Sequence, residues 1–76
     1  MILLNALQVG RMLKANPEEF YIHHYETVCT IHDRSGDELE SFSNVVFNRM
    51  ILKGTIEKVS DSKVFWSQGY FKLKVL

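Results

Sequence analysis

The chain has little of what usually staples or interrupts a small fold. Its 76 residues include one cysteine, one proline and four glycines. A lone Cys29 excludes an internal disulfide, on which secreted domains of this size commonly depend, so a reducing cytoplasm is expected. No apolar run approaches the roughly 18 residues of a membrane span. Met1–Leu4 is apolar, but Asn5, Gln8 and Arg11 break the run. No basic start precedes it and no small-residue cleavage site comes after it, so no signal peptide is expected. Glycines 10, 36, 54 and 69 stand isolated, which excludes a phosphate-binding loop and a dinucleotide fingerprint. No serine sits in a nucleophile-elbow setting. Nine acids balance nine lysines and arginines, so the basic excess that drives affinity for nucleic acid is missing.

What is present suffices for one folded unit. A hydrophobic fraction of 46% is that of a globular protein, and the length admits a single domain, residues 1–76. The charges are unevenly spread: residues 1–16 carry +2, residues 17–42 carry −6 and residues 43–76 carry +4. Such a distribution suits a molecule with one acidic and one basic side.

Periodicity predicts a helix over 2–14, with Ile2, Ala6, Val9 and Leu13 in one arc and Met12 beside it. Pro17 ends it by disfavouring helical geometry at Asn16. Asn16-Pro17-Glu18-Glu19 opens like a helix, yet the next residues are aromatic and β-branched. One helical turn at 17–19 is therefore expected, then a long strand from Phe20 that breaks or bulges near His24–Glu26. Asp33-Arg34-Ser35-Gly36 signals a tight turn, pairing Thr27–His32 with Asp37–Phe42 as an antiparallel hairpin whose acidic second strand lies at a sheet edge.

A second helix starts at Ser43 and runs to Lys53. Phe42 and Phe47 form a hydrophobic staple, Val46, Phe47, Met50 and Ile51 form the buried stripe, and Gly54 terminates it. Thr55–Val59 and Val64–Val75 then form a second hairpin around Ser60-Asp61-Ser62. The expected class is α+β, helix–hairpin–helix–hairpin, with antiparallel strands and both helices on one sheet face.

The histidines, the cysteine and the carboxylates beside them invite a metal or catalytic reading. On one continuous strand His24, Glu26 and His32 share one face while His23, Cys29 and Asp33 share the other. His24 and His32 would stand about 26 Å apart, at ~3.3 Å per residue. Neither a zinc site nor a cysteine–histidine pair fits that geometry, so no metal, cofactor or catalytic residue is expected. Histidines would be half-exposed strand residues and Cys29 a small core residue. The carboxylates of Asp37-Glu38-Leu39-Glu40 lie beside a turn on an exposed edge, where nothing desolvates them for general acid work.

Two binding surfaces remain. The stretch SNVVFNRMILKGTIEKVSDSKVFWSQGYFKL, residues 43–73, resembles the recognition helix and wing of winged-helix domains. It departs from that pattern upstream, where residues 27–42 read as a hairpin. The resemblance implies DNA contact through Asn44, Asn48, Arg49 and Lys53, with Val45 and Leu52 also outward. The other surface is aromatic and charged. With Phe71, Leu73 and Val75 inward, Val64, Trp66 and Tyr70 lie on the opposite strand face beside Lys72 and Lys74, as in protein interfaces. Trp66, Tyr70 and Lys72, together with the acidic edge Asp37, Glu38 and Glu40, are the candidate contacts. The expected function is a non-enzymatic protein-interaction module, a small inhibitor or adaptor, binding another protein or a second copy.

Overall fold

A computed structural model describes residues 3–59, 65–67 and 69–74. Within them lie two helices and a five-stranded antiparallel sheet: α1 (Ala6–Ala15), β1 (Tyr21–His24), β2 (Val28–His32), β3 (Glu38–Ser43), α2 (Asn44–Lys53), β4 (Ile56–Lys58) and β5 (Phe71–Leu73). The strand order is β3-β2-β1-β5-β4. The domain is α+β, as the sequence pattern indicates.

Helix α1 begins later than periodicity suggests, because Asn5 captures its start. The Asn5 side chain accepts from the Gln8 N–H, and the Gln8 side chain accepts from the Asn5 N–H, both at 2.9 Å. This reciprocal cap satisfies donors that would otherwise be orphaned. Leu4 instead bridges to Phe42, with its N–H donating to Ser41 O at 2.9 Å. Val9 and Leu13 are buried as expected, whereas Ala6 is exposed; Ile2 lies outside the described residues. The segment after α1 forms a turn at 17–19, closed by the Glu19 N–H on Asn16 O at 3.1 Å.

Helix α2 matches its signals closely. Ser43 caps it by accepting from the Val45 N–H, and Gly54 ends it at φ +68°. Phe42 and Phe47 are both buried in the core. Ile51 departs from the expected stripe, being 42% exposed; the helix turns only Phe47 fully inward, with Val46 and Met50 packed alongside.

The long strand from Phe20 does not exist. The chain breaks where expected, but it reverses instead of continuing. The Tyr25 N–H donates to Val28 O at 2.9 Å, and β1 pairs back on β2 with Ile22 opposite Ile31 and His24 opposite Cys29. No glycine marks this turn, and no described non-glycine residue has positive φ. Its carbonyls are held from elsewhere: Asn44 Nδ2 donates to Glu26 O at 3.3 Å and the Asn44 N–H to Thr27 O at 3.4 Å. The first residue of α2 thus supplies one free helix-terminal N–H and its side-chain amide to the hairpin loop.

The 33–36 turn forms as expected. The Gly36 N–H donates to Asp33 O at 3.0 Å, Asp33 Oδ1 accepts from the Ser35 and Asp37 N–H groups, and Gly36 sits at φ +93°. Strand β3 is an outer strand. The last hairpin pairs Ile56 with Leu73 and Lys58 with Phe71, but β5 is much shorter than Val64–Val75. Trp66 lies in a single 3-10 turn, Phe65–Ser67, not in a strand. The Ser60-Asp61-Ser62 turn, Val64 and Val75 lie outside the described residues.

Register and alternation divide the sheet into two faces. Ile22, Cys29, Ile31, Phe42 and Ile56 form one buried cluster with Val9 and Leu13 of α1 and Phe47 of α2. Both helices therefore contribute to the core on that face.

Candidate functional site

The other face carries the unusual chemistry. Because β1 folds back on β2, His23 stands opposite Thr30 and Tyr21 opposite His32. The straight-strand grouping of the histidines is thereby overturned: His23 and His32 share a face, and His24 shares the core-side parity of Cys29. His24 stacks on Phe47, with centroids 4.5 Å apart and rings 5° from parallel.

Two rows of side chains cross this second face. In the first, Glu38 stands opposite His32, His32 opposite Tyr21, and Lys72 opposite Glu57. Tyr21 lies beside Lys72, one step along from the Ile22–Phe71 pair. In the second, Ser41, Thr30 and His23 are successive partners, and the Tyr70 ring lies 4.7 Å from His23.

Above these rows the rings form one continuous run. Tyr25 meets His23 edge-on at 4.2 Å, Tyr70 meets His32 at 5.5 Å and Trp66 at 5.2 Å, and Trp66 meets Tyr21 at 5.3 Å. Edge-to-face geometry satisfies the ring quadrupoles. Trp66 is further held by its Nε1–H donating to Arg34 O at 3.2 Å. A Cβ on Gly36 would come within 3.5 Å of the indole, so the acidic turn is clamped beside it. Trp66 is thus half-buried, packed edge-on against Tyr21.

The polar groups are partly tied in. His32 Nδ1 lies 3.1 Å from Gly36 O, which only accepts, so this nitrogen carries the proton. His32 Nε2 then accepts from Thr30 Oγ1 at 2.8 Å, satisfying a buried hydroxyl. His23 Nδ1 is buried without a hydrogen-bond partner among the described residues. Desolvation, then the neighbouring His32 and His24, push its pKa below the usual histidine value. Cys29 is fully buried, and burial raises its thiol pKa to about 11, which makes it a poor nucleophile. Among the described residues no group of three or more His, Cys, Asp or Glu side chains is placed to hold a metal ion.

Tyr70 and Lys72 stand with Trp66 on this face. Asp37 and Glu38 are exposed at its β3 edge, where Glu38 stands opposite His32, whereas Glu40 is exposed opposite the core residue Ile31, on the helix-side parity of the same strand. The strand order separates these acids from Lys58, Lys72 and Lys74 by the width of the ring run. The uneven charge of the sequence becomes a spatial polarity. Asn48, Arg49 and Lys53 are exposed on α2, between Val45 and Leu52, which are 58% and 86% exposed. Asn44, by contrast, is engaged by the 26–27 turn. Hairpin β4–β5 is joined to β1 through β5, as the far edge of one continuous sheet.

The chain matches no protein-family model, no curated protein and no solved structure. No described helix is long and apolar enough to cross a membrane.

Tyr21, His23, Tyr25 and His32 were not candidates for the surface on sequence grounds. Their only signal is aromatic density around residues 20–32, which acquires a common face once the chain reverses at 25–27.

Proposed function

We propose that this chain is a non-enzymatic protein-interaction module, a small inhibitor or adaptor, that binds through the ring-bearing sheet face. One observation carries the reading: a continuous run of tyrosine, histidine and tryptophan rings, half-exposed apart from Tyr21, lies on the face away from the helices, with Asp37 and Glu38 at one edge and Lys72, opposite Glu57, toward the other. Half-exposed rings anchor protein interfaces well, because their large area is rigid and loses little entropy on binding. The flanking charges orient a partner and speed its encounter. A cytoplasmic setting suits a chain with one unpaired, buried cysteine.

The competing surface is α2, where Asn48, Arg49 and Lys53 face outward for nucleic acid. Photocrosslinking separates the two. A benzoylphenylalanine replacing Tyr25 or Leu39 should yield a discrete protein adduct in the native cell. The same group at Leu7 or Leu52 should not. Adducts arising only from Leu52, above all adducts containing nucleic acid, would overturn the assignment to the sheet face.

A further inference from the structure

The charge around the rings is one-sided. Lys72 stands opposite Glu57, so an acid of the same sheet offsets it. Arg34, whose carbonyl takes the Trp66 N–H, has its guanidinium 3.9 Å from Glu19. Lys74 lies off the run, beside Thr55 at the far edge. Asp37 and Glu38, in contrast, make no salt bridge among the described residues. Glu38 faces His32, but Gly36 O and Thr30 Oγ1 already engage both ring nitrogens of that histidine. At the other end of the run, Glu26 is exposed beside exposed Tyr25 and makes no salt bridge among the described residues either. Residues 60–64, outside the described residues, carry one acid and one lysine and leave the balance unchanged. Within the run each described cation has an acid beside it, whereas Glu26, Asp37 and Glu38 have no described cation.

The rings add to that negative potential, because the face of an aromatic ring is electron-rich. Trp66 touches the acidic turn directly. Its Nε1–H bonds Arg34 O, and a Cβ on Gly36 would come within 3.5 Å of the indole. His32, which Glu38 faces, lies 6.1 Å from Trp66, and Asp37 follows Gly36 in the chain. A phosphate or an acidic peptide meets repulsion on this surface. An apolar side chain would strip water from the carboxylates and supply no hydrogen bond in return. A cation satisfies both the rings and the acids. Guanidinium suits them best, because it is planar and weakly hydrated, lies flat on a ring, and bonds a carboxylate through two parallel N–H groups. Such a ligand packs on the outer side of half-exposed Trp66 and Tyr70 and needs no access to Tyr21 beneath.

We infer that the partner is a protein segment bearing an exposed arginine, whose guanidinium lies on the Trp66 and Tyr70 rings and pairs with Asp37 and Glu38. The inference rests on the ring-bearing face being the binding surface.

Three blocked tripeptides, acetyl-Gly-X-Gly-amide with arginine, lysine or glutamate at X, test the chemistry on the full chain at constant ionic strength. The arginine peptide should shift the Trp66 indole and Tyr70 ring resonances. Lysine should do so only at several-fold higher concentration, and glutamate not at all. Neutralising the acids, Asp37→Asn with Glu38→Gln, should weaken the arginine peptide by roughly fivefold or more. Tyr70→Leu should remove its advantage over lysine, since the ammonium gains less from a ring. Circular dichroism should show the variants folded. Arginine and lysine binding equally, binding indifferent to the paired neutralisation, or no arginine binding up to about 100 mM, the weak limit for one cation on an exposed ring, overturns the inference. In the cell, the adduct from benzoylphenylalanine at Tyr25 or Leu39 should map to a segment containing arginine. A synthetic copy of that segment should bind the chain and lose several-fold in affinity when its arginine is replaced by lysine. An adduct in a segment without arginine refutes the partner chemistry while leaving the sheet face as the binding surface. Adducts from Leu52 alone remove the face, and the inference with it.

Discussion

The two faces of the sheet hold aromatic and small polar residues in opposite ways. On the helix side, Ile22, Cys29, Ile31 and Phe42 are fully buried and join residues of α1 and α2. On the other side, Tyr21 is buried with Trp66 packed edge-on against it and Thr30 with its hydroxyl bonded to His32, while Tyr25 remains 55% exposed. The first face is closed by apolar packing. The second is closed halfway, by rings that touch edge-on and keep hydroxyl and imidazole groups near water. A domain of this size has few residues for a core, and the second layer of rings left half-open is the feature on which the proposed contact role rests.

The contrast can be broken from its strongest side first. Phe42→Ala should cost about 3–5 kcal/mol, as for a fully buried phenylalanine, enough to unfold much of a small domain's population. Chemical denaturation followed by circular dichroism measures it. Trp66→Ala should cost less, about 2 kcal/mol, because the indole is only half-buried although it packs on Tyr21 and bonds Arg34 O. If the two losses were equal, the ring layer would be core of the same kind as the helix side, and the distinction would fall.

A finer contrast is the proton sensitivity that His23 brings to the open face. The folded chain favours neutral His23, whereas the unfolded chain titrates near the ordinary histidine value of 6.5. As the pH falls, the unfolded state takes up this proton first. Stability should therefore be full above pH 6.5 and decline below it, until His23 also titrates in the folded state. His32 on β2 and His24 beside His23 on β1 act in the same direction as burial; Lys72 lies one row away on β5. Glu57 stands across Lys72, and Glu26 is exposed in the loop. In His23→Phe the decline should be smaller, as read by denaturation midpoints between pH 7 and pH 5.

Several elements were legible because their signals are local. Ser43, the Phe42–Phe47 pair and Gly54 delimit α2 through hydrogen bonds and contacts made within a few residues. Asp33 and Gly36 make their turn the same way, with one carboxylate accepting two backbone N–H groups and glycine adopting positive φ. The alternation of Phe71 and Leu73 with Lys72 was readable for the same reason, since a strand's two faces differ in solvent. The charge segregation was visible too, though not its arrangement in space.

The reversal at Tyr25–Thr27 was decided by tertiary structure. Nothing in Glu26-Thr27 prefers a tight turn, and the loop carbonyls are satisfied by Asn44, eighteen residues beyond Glu26. The reversal, and the β1–β2 pairing it allows, brings His23 and His32 to one face and puts Cys29 on the other. The late start of α1 is set by the local Asn5–Gln8 cap, and Leu4 before it takes a backbone partner on β3. Trp66 likewise leaves the expected strand for a turn from which its N–H reaches Arg34 O, thirty-two residues away. Composition, caps and the acid–base asymmetry thus determined an α+β domain with a polar distribution of charge. Which rings meet, and which edges of the sheet the acids and lysines occupy, depended on hydrogen bonds between segments that no local pattern encodes.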